Sequence, residues 1–330
     1  MTNAELDAQV IEFDRKRSFT LFRDLSAQST KQWLVSGFLG AGEASALYGK
    51  PGDGKSVLAE DMALHIAAGR DWHGRKVKGG AVVYVALERR LLVERRAIAF
   101  REHHDVHDLP FAIVGGVYDF RDQKTAVRIS DLVTEVAIAT EQPVVLVAID
   151  TLSRALFGGD ENAPKDMGAI VAATGLLQER TGAHVQWVHH MPQDGGERMR
   201  GHGALLGAVD TTIYVAKAGD VRTATVIKAN DSEEGATLAF TLESVIIGCD
   251  MVGVETTCPV VVPAQGINVQ QRSVPRSART ALDLLRRAIV DAGEKHPASN
   301  HVPDNAIVVP QPMAAVLLRG HRDRQRRPGS

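Results

Sequence analysis

Cysteine is nearly absent: Cys249 and Cys258 are the only two in 330 residues. Two thiols cannot build a disulfide framework, and neither has a zinc-binding partner pair at short spacing, so both read as packed thiols. Long apolar runs are missing as well. The longest, Pro143-Val-Val-Leu-Val-Ala-Ile149, falls far short of the ~20 residues that cross a bilayer, so no membrane span is expected. Nor does the start, Met1-Thr-Asn-Ala-Glu-Leu-Asp7, carry the basic and then apolar regions of a secretory signal, which places the expected protein in the cytoplasm. A dominant charge is also lacking, for the net charge is −2. Its distribution is uneven: residues 271–330 hold 11 Lys+Arg against 5 Asp+Glu, which leaves −8 for the rest. A weakly acidic body with a basic end permits local contact with nucleic acid without demanding it.

What is present is a core. Apolar residues make up 44% of the chain, enough to fill one large domain with an appendage. From about Gly37 onward, short β-branched runs alternate with helical stretches, the pattern of an α/β domain with a largely parallel sheet. The expected strands are Ala44–Tyr48, Ala81–Ala86, Phe111–Val114, Pro143–Ile149 and His184–Val188. Between them, helices are expected over Lys55–Ala68 (Leu58, Met62, His65 and Ile66 on one face), Arg89–His104, Thr125–Thr140 and Met167–Arg180. The rhythm then changes. Thr211–Lys217, Val221–Lys228 and Leu238–Ile247 are close-set runs joined by Gly/Asp turns, which suggests antiparallel strands appended to the parallel sheet. Four segments result: an N-terminal extension (1–30), the main domain (31–255), a proline-bearing linker (256–276), and a C-terminal piece (277–330). That piece should hold one helix capped by Ser277, then a basic, poorly ordered tail able to contact phosphates through Arg319–Arg327.

The strongest motif is Gly49-Lys50-Pro51-Gly52-Asp53-Gly54-Lys55-Ser56, which fits G-x-x-x-x-G-K-[ST] between a strand and a helix. Gly52 and Gly54 let backbone N–H groups wrap phosphate oxygens, and the helix that Lys55, Ser56 and Val57 open adds positive potential. Lys55 should reach the β- and γ-phosphates of ATP and Ser56 should ligate Mg²⁺. A second metal-holding group is expected at the tip of a neighbouring strand, where Asp150 stands. Glu88, ending Val83-Tyr-Val-Ala-Leu-Glu88 on a strand expected beside the P-loop, is the candidate base for the attacking water. His103, His104 and His107 lack matching ligand spacing and read as surface residues.

Taken together, these segments resemble the RecA-like hexameric ATPases, and within them the plasmid and prophage RepA-type replicative helicases, over roughly residues 32–250. The resemblance rests on Trp33-Leu-Val-Ser-Gly-Phe-Leu39 before the P-loop, Val85-Ala-Leu-Glu88, Ile149-Asp-Thr-Leu-Ser-Arg154 with Gly159-Asp-Glu-Asn162, and Val185-Gln-Trp-Val-His-His190. Later segments that fit are Arg200-Gly-His-Gly-Ala-Leu205 with Val209-Asp210, and Val226-Ile-Lys-Ala-Asn-Asp-Ser-Glu-Glu-Gly235. It implies a RecA-like core, Mg²⁺-dependent ATP hydrolysis, and assembly with copies of itself into a ring of six. The ring would act on single-stranded DNA with a primase or initiator as further partner. It also implies that His190, or else His189, senses the γ-phosphate, and that one of Arg198, Arg200 and Lys228 reaches the ATP of a neighbouring subunit. A lysine usual soon after the sensor histidine is replaced here by Met191-Pro-Gln-Asp194. The rivals are a RecA-like switch that binds DNA or protein without translocating, and a small-molecule phosphotransferase.

Overall fold

The computed structural model describes residues 22, 30–190, 203–264, 294–295 and 307–308. The first of its two compact units comprises residues 1–232 and 238–267. It opens with a small antiparallel pair, β1 (Trp33–Val35) and β2 (Leu39–Gly40). Strands β3 (Ala44–Gly49), β4 (Ala81–Ala86), β5 (Phe111–Gly115), β6 (Val144–Asp150) and β7 (His184–His190) pair in parallel. They alternate with α1 (Lys55–Ala68), α2 (Arg90–His104), α3 (Gln123–Thr140), a single turn α4 (Leu152–Ala155) and α5 (Pro164–Thr181). After α6 (Gly203–Ala208) come β8 (Thr211–Ala218), β9 (Val221–Ala229), β10 (Thr237–Cys249) and β11 (Glu255–Pro263). β8 pairs in parallel with β3, and the β8–β9 and β10–β11 ladders are antiparallel. One nine-stranded sheet results, in the order β11-β10-β9-β8-β3-β7-β6-β4-β5. The expected fold class, a mostly parallel central sheet with antiparallel strands appended, is the one found. In the second unit, β12 (Glu294–Lys295) pairs with β13 (Ile307–Val308). The helix expected after Ser277 and the basic tail lie outside the described residues.

Strands β3 and β4 are buried along their whole length because both faces of the sheet are covered; β4 is an uninterrupted apolar run, and Ser45 is the polar residue of β3. Successive side chains take opposite faces. Val83, Val85, Val147, Ile149, Val185 and Trp187 meet α3 and α5 through Ile129, Val133, Met167, Ile170 and Leu177. The other face packs on α1. The ends are set by local chemistry. Asp122 caps α3 by accepting the Lys124 N–H, and Pro164 begins α5, where a missing N–H costs nothing.

Three expectations need correction. Residues 256–263 are no linker: they form the edge strand β11, paired with β10 and packed on α2. Pro259 and Pro263 are admissible there because an edge strand has one row of N–H groups with no ladder partner to lose. Helix α1 buries more than the one face marked by Leu58, Met62, His65 and Ile66, since everything from Val57 to Ala67, Glu60 and Asp61 included, is buried. The sheet covers one side, and α2 with β11 covers the other. Of the two thiols, both expected to be packed, Cys258 packs with Ala99 and Val260, whereas Cys249 is exposed.

His184 ties the small β1–β2 pair to the sheet. Its Nδ1–H donates to the Gly40 carbonyl at 2.7 Å, and Nε2 lies 2.8 Å from Ser45 Oγ. Burial holds this imidazole down to about 4, so it is neutral in the fold, whereas an unfolded chain would protonate it near 6.5. Its contribution is therefore complete above pH 6.5 and is lost as pH falls toward 4. Glu60 and Asp150, raised by burial, titrate with the opposite sign, so the expected result is read at the residue: the His184 ring signal in an NMR titration stays unprotonated down to about pH 4. A midpoint near 6.5 would contradict the packing described.

Candidate active site

Parallel strands all end on the same side, and their register decides what meets there. Gly49 at the end of β3 is level with His190 at the end of β7, Val188 is level with Asp150, and Asp150 is level with Ala86. The P-loop, the two histidines, Asp150 and the Leu87-Glu88 segment thus share one rim. β4 does not flank the P-loop strand, because β7 and β6 lie between them, and Asp150 is likewise one strand removed. Glu88 still reaches the site, since a parallel sheet brings the C-terminal end of every strand to the same crevice.

A cleft of about 480 Å³ opens at this rim, lined by Pro51, Gly52, Ser56, Glu88, Arg96, Asp150 and His190 among others. Its floor is the loop of residues 49–56. Gly52 and Gly54 hold φ of 86° and 91°, the left-handed region that side chains resist. A Cβ on Gly49 would stand 2.2 Å from the Val215 carbonyl oxygen, so only glycine lets β3 and β8 approach this closely before the turn. Asp53 Oδ2 accepts the Lys50 N–H at 2.9 Å, and Lys55 Nζ donates to the Lys50 carbonyl at 2.8 Å, which holds the ammonium inside the loop. Burial pulls the Lys55 pKa down to about 8, opposed by the charges of Asp53, Asp150 and Glu88.

Asp150 is buried. Its Oδ2 accepts the Tyr84 hydroxyl at 3.0 Å, the Ser56 hydroxyl stands near enough to favour its charged form, and among the described residues Oδ1 has no partner. Burial raises its pKa, against the pull of Ser56, Tyr84 and Arg96. One carboxylate oxygen left over beside a serine hydroxyl is an oxygen donor set that fits Mg²⁺. Glu88 stands on the cleft wall with Arg154 Nη2 at 4.0 Å from Oε1, an exposed pair that leaves the carboxylate accessible. His190 is half-buried, with Nδ1 unpartnered among the described residues, and burial followed by the Lys55 charge pushes its pKa down. His189, by contrast, is fully buried. Lys228 does not line the cleft: its Nζ donates to the Val209 carbonyl at 2.6 Å. Arg198 and Arg200 lie outside the described residues.

Two cations escaped the sequence reading. Arg96 of α2 lines the cleft and pairs with Glu60 at 3.4 Å across α1. Glu60 is almost fully buried, with its pKa raised well above the carboxylate range by burial and restrained by Arg96. A glutamate one turn after Ser56 on a largely apolar helix was the available signal, because a buried carboxylate needs a cation. Arg222 of β9 is the other, lying against the P-loop so closely that a Cβ on Gly54 would meet its Cδ at 3.0 Å. Nothing in local sequence announces it, since its position depends on the order β9-β8-β3.

The profile of the AAA domain family matches residues 12–196, more than half of the chain and the whole P-loop rim. The chain belongs to this family of P-loop ATPases. No curated protein matches its sequence. Solved structures that resemble this AAA-family chain include a KaiC-like protein from the hyperthermophilic archaeon Pyrococcus horikoshii OT3, with 16% identity and a TM-score of 0.44, covering 70% of this chain and 94% of that one. Among the described residues, no helix of this ATPase is long and apolar enough to cross a membrane.

Proposed function

We propose that this ATPase is a Mg²⁺-dependent, ring-forming motor on single-stranded DNA, of the replicative-helicase kind. The observation that carries the hydrolytic part is the meeting of Lys55, Ser56, Glu88, Asp150 and His190 on one rim. Lys55, held at the loop by the Lys50 carbonyl, turns to the β- and γ-phosphates when they displace that contact. Ser56 and Asp150 would hold Mg²⁺, which screens phosphate charge when bound. Glu88 takes the proton of the attacking water, and His190 hydrogen-bonds the γ-phosphate from its strand end. Ring assembly and DNA as track are supported by the resemblance at Arg200-Gly-His-Gly203 and Val226–Gly235, with a primase or initiator as a further partner. The acidic pair Asp160 and Glu161, in the loop after α4, favours the second reading, a switch that binds a partner without translocating.

The deciding experiment exploits a residue that acts on a neighbour. An Arg200→Ala chain keeps its P-loop, Glu88 and Asp150, while a Lys55→Ala chain keeps the arginine. Each alone should be nearly inactive, and co-assembled mixtures should regain activity at interfaces where an intact P-loop faces an intact arginine. A trans arginine is worth about 10³–10⁵ in rate, so even a minority of restored interfaces is measurable. No recovery in mixtures shown by mass to co-assemble removes Arg200 from this role. Single-stranded DNA that leaves the ATPase rate unchanged would favour the switch.

A further inference from the structure

Away from the cleft, α1 and α2 bring a second group of metal-binding side chains together. Asp61 and His65 stand one turn apart on α1, and His104 is the last residue of α2. Each offers one ligand atom, and the three atoms lie within 4.8 Å of one another. His104, expected at the surface, instead packs against His65, with ring centroids 5.1 Å apart, and against Phe100 at 4.2 Å. Its Nε2 is shielded from solvent and has no hydrogen-bond partner among the described residues. His103 and His107 are exposed, as expected.

The surroundings orient this trio. Asp61 Oδ2 accepts the Trp72 indole N–H at 2.8 Å and lies 3.3 Å from His73 Nε2, while Oδ1 lies 3.6 Å from His65 Nδ1. His65 Nδ1–H donates to the Asp61 backbone carbonyl at 2.9 Å, and the tautomer so selected keeps its lone pair on Nε2. Arg70 Nη1 donates to the His104 carbonyl at 2.9 Å and fixes the end of α2. A ligating histidine that gives its other N–H to a carbonyl, and a ligating carboxylate held through its second oxygen, are the outer contacts of protein metal centres.

We propose that Asp61, His65 and His104 bind Zn²⁺, with water as the fourth ligand. Two imidazole nitrogens and one carboxylate oxygen are a donor set that Zn²⁺ takes tetrahedrally. Bonds of ~2.0–2.2 Å put such tetrahedral ligand atoms about 3.3–3.6 Å apart, against separations of at most 4.8 Å here. The metal pins the distal end of α1, whose first turn carries Lys55 and Ser56, to the distal end of α2, which carries Arg96.

The test uses the untagged full chain, stripped by chelator and then exposed to Zn²⁺ with Mg²⁺ in excess to occupy the P-loop. One Zn²⁺ per chain should survive gel filtration and raise the thermal midpoint by roughly 5 °C. Co²⁺ in its place should give the visible absorption of a tetrahedral site. Asp61→Asn, which can still accept the Trp72 N–H, and His104→Phe, which keeps an aromatic ring beside Phe100, should lose the metal, whereas Lys55→Ala should keep it. Zn²⁺ retained equally by wild type and both variants overturns the proposal, as does a wild-type chain that retains none. Should a variant not fold, X-ray absorption on the wild-type Zn²⁺ form decides, two imidazoles supporting the site and none refuting it.

Discussion

Lys55→Ala is expected to abolish ATP hydrolysis, with a loss of roughly 10²–10³-fold or more, the scale of removing one preorganised charge from a transferring group. Lys55 is 3% exposed and its ammonium is held by a backbone carbonyl, so alanine removes the cation that the loop holds in place. Burial already pulls the group down to about 8, which marks a charge taken out of water and held in place by Asp53, Asp150 and Glu88. A charge in that condition acts on phosphate far more strongly than a solvated lysine does. A steady-state rate equal to the parent's would remove the loop of residues 49–56 from the chemistry.

Glu88→Gln should separate binding from turnover. Glutamine keeps the size and polarity of the side chain on the cleft wall but cannot accept the proton of the attacking water. Nucleotide affinity should hold while turnover falls by ~100-fold or more, the scale of losing a general base. The exposed contact with Arg154 contributes little to folding, so the variant should melt with the parent. Unchanged turnover would move the base to another group at the rim, Asp150 being next in reach.

Much of this site was legible because its signals are local. The P-loop spacing, the apolar run before Asp150 and the strand before Glu88 each state their structure within ten residues, and the parallel half of the sheet follows from strands that alternate with helices. What was not legible is long-range. Nothing near Glu88 says that two strands separate it from the P-loop strand, and nothing near Arg222 says that it rests against Gly54. Pro259 and Pro263 argued for a linker because proline breaks ladders, yet an edge position removes that penalty. His104 read as a surface residue from its polar neighbours, while its surroundings come from Asp61 and His65, some forty residues earlier.

The contact of β11 with α2 sets an order of events during synthesis. Ala99 on α2 is covered by Cys258 and Val260, more than 150 residues further along the chain. Closing so long a loop costs entropy that is returned only once the whole patch forms, so this face of α2 is among the last to be covered. A nascent chain can pair β3, β4, β6 and β7 while the helix behind Glu88 still has an open apolar side. The backing of the ATPase rim is therefore expected to be complete only once the chain up to residue 263 is available to pack on the helix that presents Arg96.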